Sequence, residues 1–169
     1  MKIISFPQVS GKNLERQKLS FPADFAAPFN LILMAFFQHQ QLEINTWLPF
    51  VDQLDSEGDA FTYYEFPVVY QMGPLRQFML NEGMRAGIPD QKARAKTITL
   101  YLDKAPFLQQ LGIESQDQIQ ILLVRKNGQV IWRESGILTD RKMKALEKAL
   151  QKGQRPKANE HESDSGAPA

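Results

Sequence analysis

No cysteine occurs in the 169 residues, and histidine occurs only twice, at His39 and His161. The first absence excludes disulfides, thiolate metal sites, cysteine nucleophiles and CxxC redox chemistry. The second leaves no histidine cluster for a metal ion or a catalytic triad, so no metal and no cofactor are expected. Charge of one sign is missing as well: 20 Lys and Arg against 19 Asp and Glu leave +1, which supplies no field for a nucleic acid partner. Long hydrophobic runs are also absent. The longest, Phe25 to Phe37, is interrupted by Pro28 and Asn30 and falls short of the roughly 20 residues a spanning helix needs. The start of the chain, Met1 to Gln8, lacks the apolar stretch and small-residue cleavage site of a signal peptide. A soluble, cytoplasmic chain is expected, with attachment to the periphery of a membrane left open. No GxGxxG, P-loop, GxSxG or HExxH motif occurs.

What is present is one domain's worth of patterned chain. Residues 1–29 read as a leader of loop and weak hairpin, and Asn30–Phe37 as a buried strand. Glu43–Asp55 places Ile44, Trp47, Leu48, Val51 and Leu54 on one helical face, with Pro49 expected to kink it. Phe61–Tyr70 is aromatic and β-branched, a strand with Pro67 at an edge or bend. Pro74–Met84 is expected to be a helix turning Leu75, Phe78, Met79 and Met84 inward. Gly83, Gly87 and Pro89 then predict a loop. Thr97–Leu102 reads as a strand and Pro106–Leu111 as a short helix. Ile119–Val124 and Val130–Arg133 flank the hairpin signal Asn127-Gly128. Thr139 is a good cap for a final helix over Asp140–Lys152. The polar residues 153–169 are expected to be disordered, leaving 30–152 as the folded domain. Strands alternating with helices predict an α/β three-layer sandwich, a mixed central sheet with helices on both faces.

This order resembles the thioredoxin-like superfamily. Leu33 to Leu54 is similar to its first catalytic strand and helix, with Pro49 at the position of the helix proline. Leu122 to Gly136 is similar to the closing hairpin. Thr97-Ile-Thr-Leu-Tyr-Leu-Asp, with the helix ending Leu111-Gly112-Ile113, resembles the peroxiredoxin branch. An ungapped overlay puts Gln41, Leu42, Glu43 and Ile44 where redox members carry Cys-x-x-Cys, and Ile119-Gln120 where they carry a cis-proline. Thiol–disulfide exchange and thiol peroxidase activity need a thiolate there, and none of these residues supplies one. Gly83 to Asp90, Thr97 to Tyr101, Leu111 to Ile113 and Val130 to Gly136 further resemble assembly factors for the membrane sector of mitochondrial ATP synthase. That resemblance implies a fold used without redox cysteines to help a hydrophobic subunit assemble, in a mitochondrial or bacterial membrane-associated setting.

The remaining polar residues each admit two readings. His39 follows the first strand, at the lip where such sheets bind ligands, as a crevice residue or a solvent-facing loop residue. Asp52, Asp55, Glu57 and Asp59 read as a solvated helix end rather than an acid–base pair. Arg76, Arg85 and Arg94 are candidate contacts for a partner or an anion, against the plainer reading of a charged surface. Arg85, in the glycine-rich segment, is singled out because loops carry function. Met72, Phe78, Met79 and Met84 suit either an adaptable docking surface or core packing, with core packing preferred. The leading expectation is a non-enzymatic, non-redox binding module whose partner is another protein, a membrane complex among the options. The alternative is an enzyme or small-ligand-binding protein on the same scaffold using His39, Glu43 and Arg85.

Overall fold

The structure, a computed structural model, describes residues 2–154. Its first compact unit runs to Leu138 and is built on one seven-stranded mixed sheet. In chain order the strands are β1 (Val9–Asn13), β2 (Lys18–Phe21), β3 (Phe29–Ala35), β4 (Phe61–Tyr70), β5 (Ile98–Leu102), β6 (Gln120–Arg125) and β7 (Val130–Ser135). Across the sheet they lie β2-β1-β5-β4-β3-β6-β7. The centre, β5-β4-β3, is parallel, and every other pairing is antiparallel. Parallel neighbours require crossover connections, supplied by helix α1 (Gln41–Ser56) and by α2 (Pro74–Gly87) with α3 (Gln91–Lys96). Helix α4 (Lys104–Leu111) links β5 to β6.

Every residue of β3 is buried, which explains its unbroken apolar run. On α1, Ile44, Trp47 and Val51 are buried, and the helix continues through Pro49. The Trp47 indole N–H donates to the carbonyl of Gly136 at 2.9 Å, tying α1 to the end of β7. Gly112 ends α4 in the left-handed conformation at φ 67°, the C-terminal geometry that glycine adopts without strain. The Asn127-Gly128 signal does close the β6–β7 hairpin. The Arg125 amide donates to Gln129, leaving a three-residue loop with Gly128 at φ 96°.

Three sequence expectations change. The leader does not stand apart from the sheet. Its hairpin β1–β2 pairs with β5, and Phe6, Phe21 and Phe25 join Tyr64, Phe66 and Phe107 in one aromatic core. Of the two readings of Pro67, edge or bend, the edge is overturned, because it sits in the central strand β4. The ladder to β5 is interrupted there, between the Glu65–Thr97 bridge and the Val68–Leu100 pair, so the missing N–H falls in the gap. The segment after Pro89 is not all loop. Asp90 accepts from the amides of Lys92 and Ala93, capping α3.

The second unit starts at Thr139. Its helix α5 (Asp140–Gln154) opens with the Thr139 hydroxyl accepting from the Lys142 amide at 3.3 Å, and it buries Leu146 and Leu150. Gly153 and Gln154 belong to this helix; the rest of the tail expected from 153 lies outside the described residues.

Candidate functional site

The lip of the parallel strands is where open α/β sheets place their sites, and a short 3-10 turn, Gln38–Gln40, leads there from β3 into α1. Gln40 is fully buried. Its side-chain oxygen accepts from the amides of Phe36 and Phe37 at 2.8 and 3.3 Å, and its amide donates to the Gln116 carbonyl at 2.6 Å. One neutral side chain thus locks the lip to the loop before β6.

Gln41 to Ile44 form the first turn of α1. Ile44 is core, Leu42 is exposed, and Glu43 accepts from the Ile119 amide at 3.2 Å. Gln41 donates at 3.2 Å to Glu65 Oε1 on β4. The other Glu65 oxygen lies 3.4 Å from the Thr97 hydroxyl, which donates to the Ala93 carbonyl at 2.9 Å. Burial pushes the Glu65 carboxyl above its ordinary range; the hydrogen bonds from Gln41 and Thr97 oppose this, and Asp52 reinforces it. The turn that the overlay sets at the redox-motif position thus forms a polar clamp between α1 and the sheet through Gln41 and Glu43.

The acidic end of α1 is more structured than expected. The Tyr63 hydroxyl donates to Asp52, and burial together with that carboxylate pushes the phenol up. Asp55 pairs with Lys92 at 2.9 Å and Lys96 at 3.4 Å. Burial alone would raise the Asp55 carboxyl, but these two ammonium groups hold it below the ordinary range. The cluster ties α1 to α3.

The remaining candidates are not brought together. His39 is exposed and stacks on the Phe37 ring, with centroids 5.7 Å apart and planes 9° from parallel. Arg85 and Arg94 converge on Glu15, in the β1–β2 turn; Arg94 pairs with it directly and Arg85 lies at 3.9 Å. Arg94 also donates to the carbonyls of Ile88 and Pro89 at 2.8 Å, fixing the α2–α3 link. Arg76 is exposed on α2, apart from that pair. His39, Glu43 and Arg85 thus serve three different sets of partners.

The larger departure is α2, which buries none of its residues. Leu75, Phe78 and Met79, expected to face the core, are 71, 59 and 65% exposed, and Met72 and Met84 are half-buried. A groove of about 400 Å³ runs between α2 and β1, with Phe78 and Gln77 on one wall and Lys12 and Lys18 on the other. Arg16 spans its end, bonded to Glu82 through both carboxylate oxygens at 2.9 and 3.0 Å. The 3.6-residue period showed that these apolar residues share a face; it carried no signal for which way that face turns.

No family model and no curated protein matches the chain. Solved structures do. It superposes on the exposed lipoprotein thioredoxin Etrx1 of Streptococcus pneumoniae with a TM-score of 0.57 at 13% identity, covering 86% of this chain and 99% of that one. The fold is thioredoxin-like. A thiol:disulfide interchange protein from Bacteroides sp. gives a TM-score of 0.57 at 16% identity, with 96% of each chain covered. BsSco, a member of the Sco family of cytochrome c oxidase assembly proteins, gives 0.56 at 12%, with 88% of this chain and 95% of that one covered. At these identities the likeness speaks for the thioredoxin-like architecture alone. Within that architecture this chain has Gln41–Ile44 at the head of α1 and no thiol anywhere. Among the described residues no helix is long and apolar enough to cross a membrane, and no cluster of three metal-ligating side chains occurs.

Proposed function

We propose that this chain is a non-redox, thioredoxin-like binding module that docks an apolar, acid-flanked segment of another protein along α2, in the manner of a factor assisting assembly or folding. The observation that carries the reading is the uncovered face of Leu75, Phe78 and Met79 on a helix that buries nothing. A contiguous exposed apolar patch marks an interaction site, and unbranched methionine suits a surface that adapts to its partner. Amphipathic helices are recognised through apolar anchors at this spacing; of the three, Phe78 also lines the neighbouring groove, whose other walls are mainly polar. Lys12 and Lys18 across the groove, with Arg76 on α2, favour carboxylates at the flanks of the docked segment. The absence of cysteine supports binding over redox catalysis, because the chain supplies no electron-transferring group. The membership of BsSco in an assembly-protein family is a precedent for the fold in such work.

The test uses an amphipathic helical peptide with a Leu/Phe/Met face, synthesised once with Glu flanks and once with Lys flanks. Fluorescence anisotropy should show tighter binding of the Glu-flanked peptide, with the difference shrinking as salt is raised. Equal binding of both peptides, or equal binding by a Phe78→Gln variant, would refute the reading.

A further inference from the structure

A second feature at the lip is independent of α2. Lys104, the first residue of α4, is 5% exposed, although lysine is almost never buried unless paired. Among the described residues no carboxylate pairs with it. Its ammonium lies 3.5 Å from the Phe36 carbonyl and 3.4 Å from Gln116 Oε1, two long contacts to neutral oxygens. The Tyr70 ring centroid is 4.3 Å away and that of Phe37 5.3 Å. Phe36 and Phe37 follow β3, Tyr70 ends β4 and Lys104 follows β5, so the ammonium sits where the C-terminal ends of all three parallel strands converge. Burial pushes its titration below the ordinary lysine range, with no neighbouring charge opposing that shift.

The same side chain lines a cleft of about 530 Å³. The cleft follows one face of α4 past Ala105 and Leu108 to Gly112 and Ile113, a length of about 12 Å for eight helical residues. One end thus holds an ammonium and an amide oxygen, and beyond them Ala105, Leu108 and Ile113 give an apolar strip with Gln109 beside it. Asp103 and Glu114, both exposed, stand at the rim and disfavour a multiply charged anion. A buried cation without a counter-charge is completed by an anion that brings its own desolvated carboxylate.

We infer that this cleft is a binding site for a monocarboxylate with an aliphatic or aromatic body, its carboxylate on Lys104 and its body along α4. The inference goes beyond the docking role of α2 and does not depend on it. Octanoate is the probe, with 1-octanol and inorganic phosphate as controls, titrated calorimetrically into the full chain at pH 7.5. Octanoate should bind saturably with one site per chain. Lys104→Met, which keeps the length of the stem, should weaken octanoate at least about tenfold, the loss expected for a charge-assisted hydrogen bond. It should leave 1-octanol unchanged, and phosphate should not bind either protein. Ala105→Trp, at an exposed cleft-lining position outside the core, should block octanoate while keeping Lys104. Octanoate should also protect Lys104 from acetylation by limiting acetic anhydride, read by peptide mass, and this readout stands if Lys104→Met fails to fold. Phe78→Gln should bind octanoate like wild type, which separates this site from the α2 face. The inference is overturned by an absence of saturable octanoate binding, by full affinity in either cleft variant, by loss of binding in Phe78→Gln, or by phosphate binding as well as octanoate.

Discussion

Replacing Leu75, Phe78 and Met79 together with glutamine separates two quantities that a buried face would keep linked. All three side chains are largely exposed in the free chain, so their loss removes little from the folded state. The covered fractions of the three are together worth at most about 3 kcal/mol, of which the glutamine stems retain part, and glutamine forms helix about as well as leucine or methionine. Docking is different. Complete burial of such a side chain is worth about 1.5–3 kcal/mol. Scaled by exposures of 71, 59 and 65%, each leaves about 1–2 kcal/mol to be gained when a partner covers it. The triple variant should therefore lose about 3–6 kcal/mol of favourable burial. Even at the lower end, that weakens the Glu-flanked peptide by more than about a hundredfold. Urea unfolding followed by circular dichroism reads the first quantity, and anisotropy reads the second. A triple variant that unfolds with a stability loss beyond about 4 kcal/mol, more than the covered fractions are worth, would show that the face is packed in solution. Unchanged peptide affinity would show that it docks nothing of this kind.

Three further outcomes test the frame around the sites. Because the folded-state titration of Glu65 is raised, the native protein holds a proton that the unfolded chain releases near 4.5. The stability it contributes is complete below that pH and declines as pH rises from 4.5 through the folded-state value. Glu65→Gln removes the titrating group while keeping a side-chain oxygen to accept from Gln41 and should remove this decline. Denaturant stability measured across pH checks it, and identical profiles for the two proteins would count against a raised Glu65. Gly11→Ala would place a Cβ 2.7 Å from the Thr99 carbonyl oxygen and 2.8 Å from Ile98 Cγ2; a loss of about 1–3 kcal/mol in urea is expected as β1 is pushed from β5. Trp47→Phe strands the buried Gly136 carbonyl and leaves a small void, a combined cost of about 2–4 kcal/mol by the same measurement.

Much of the fold was legible in local pattern. The buried run of β3, the apolar stripe of α1, the aromatic β4 and the Asn127-Gly128 hairpin each carry their own signal within a few residues. Together their order is enough for an α/β sheet of thioredoxin-like type. The absence of thiol chemistry was equally a property of composition. A local signal for α3 also exists, in Asp90 as its cap ahead of Gln91–Lys96, next to the breakers Gly83, Gly87 and Pro89 on which the loop expectation rested.

The sites were not legible in that way, because each depends on where a side chain ends up in space. The period of Leu75, Phe78 and Met79 defines a face and leaves its direction open; that α2 buries none of it is a result of packing across the whole sheet. Arg94 reads as a free cation until Glu15, 79 residues away, closes on it. Glu65 reads as an interruption in an apolar strand until Gln41 and Thr97 reach it from two other elements. Lys104 lies just ahead of the helix expected over Pro106–Leu111, and nothing local marks it as buried; Phe36, Tyr70 and Gln116 surround it from three separate segments. Composition and periodicity, which act over a few residues, determined the elements and what chemistry this chain lacks. Burial and pairing act between residues far apart in sequence, and they alone decided which polar groups are structural, which apolar face stays open, and where a cation lies buried without a counter-charge.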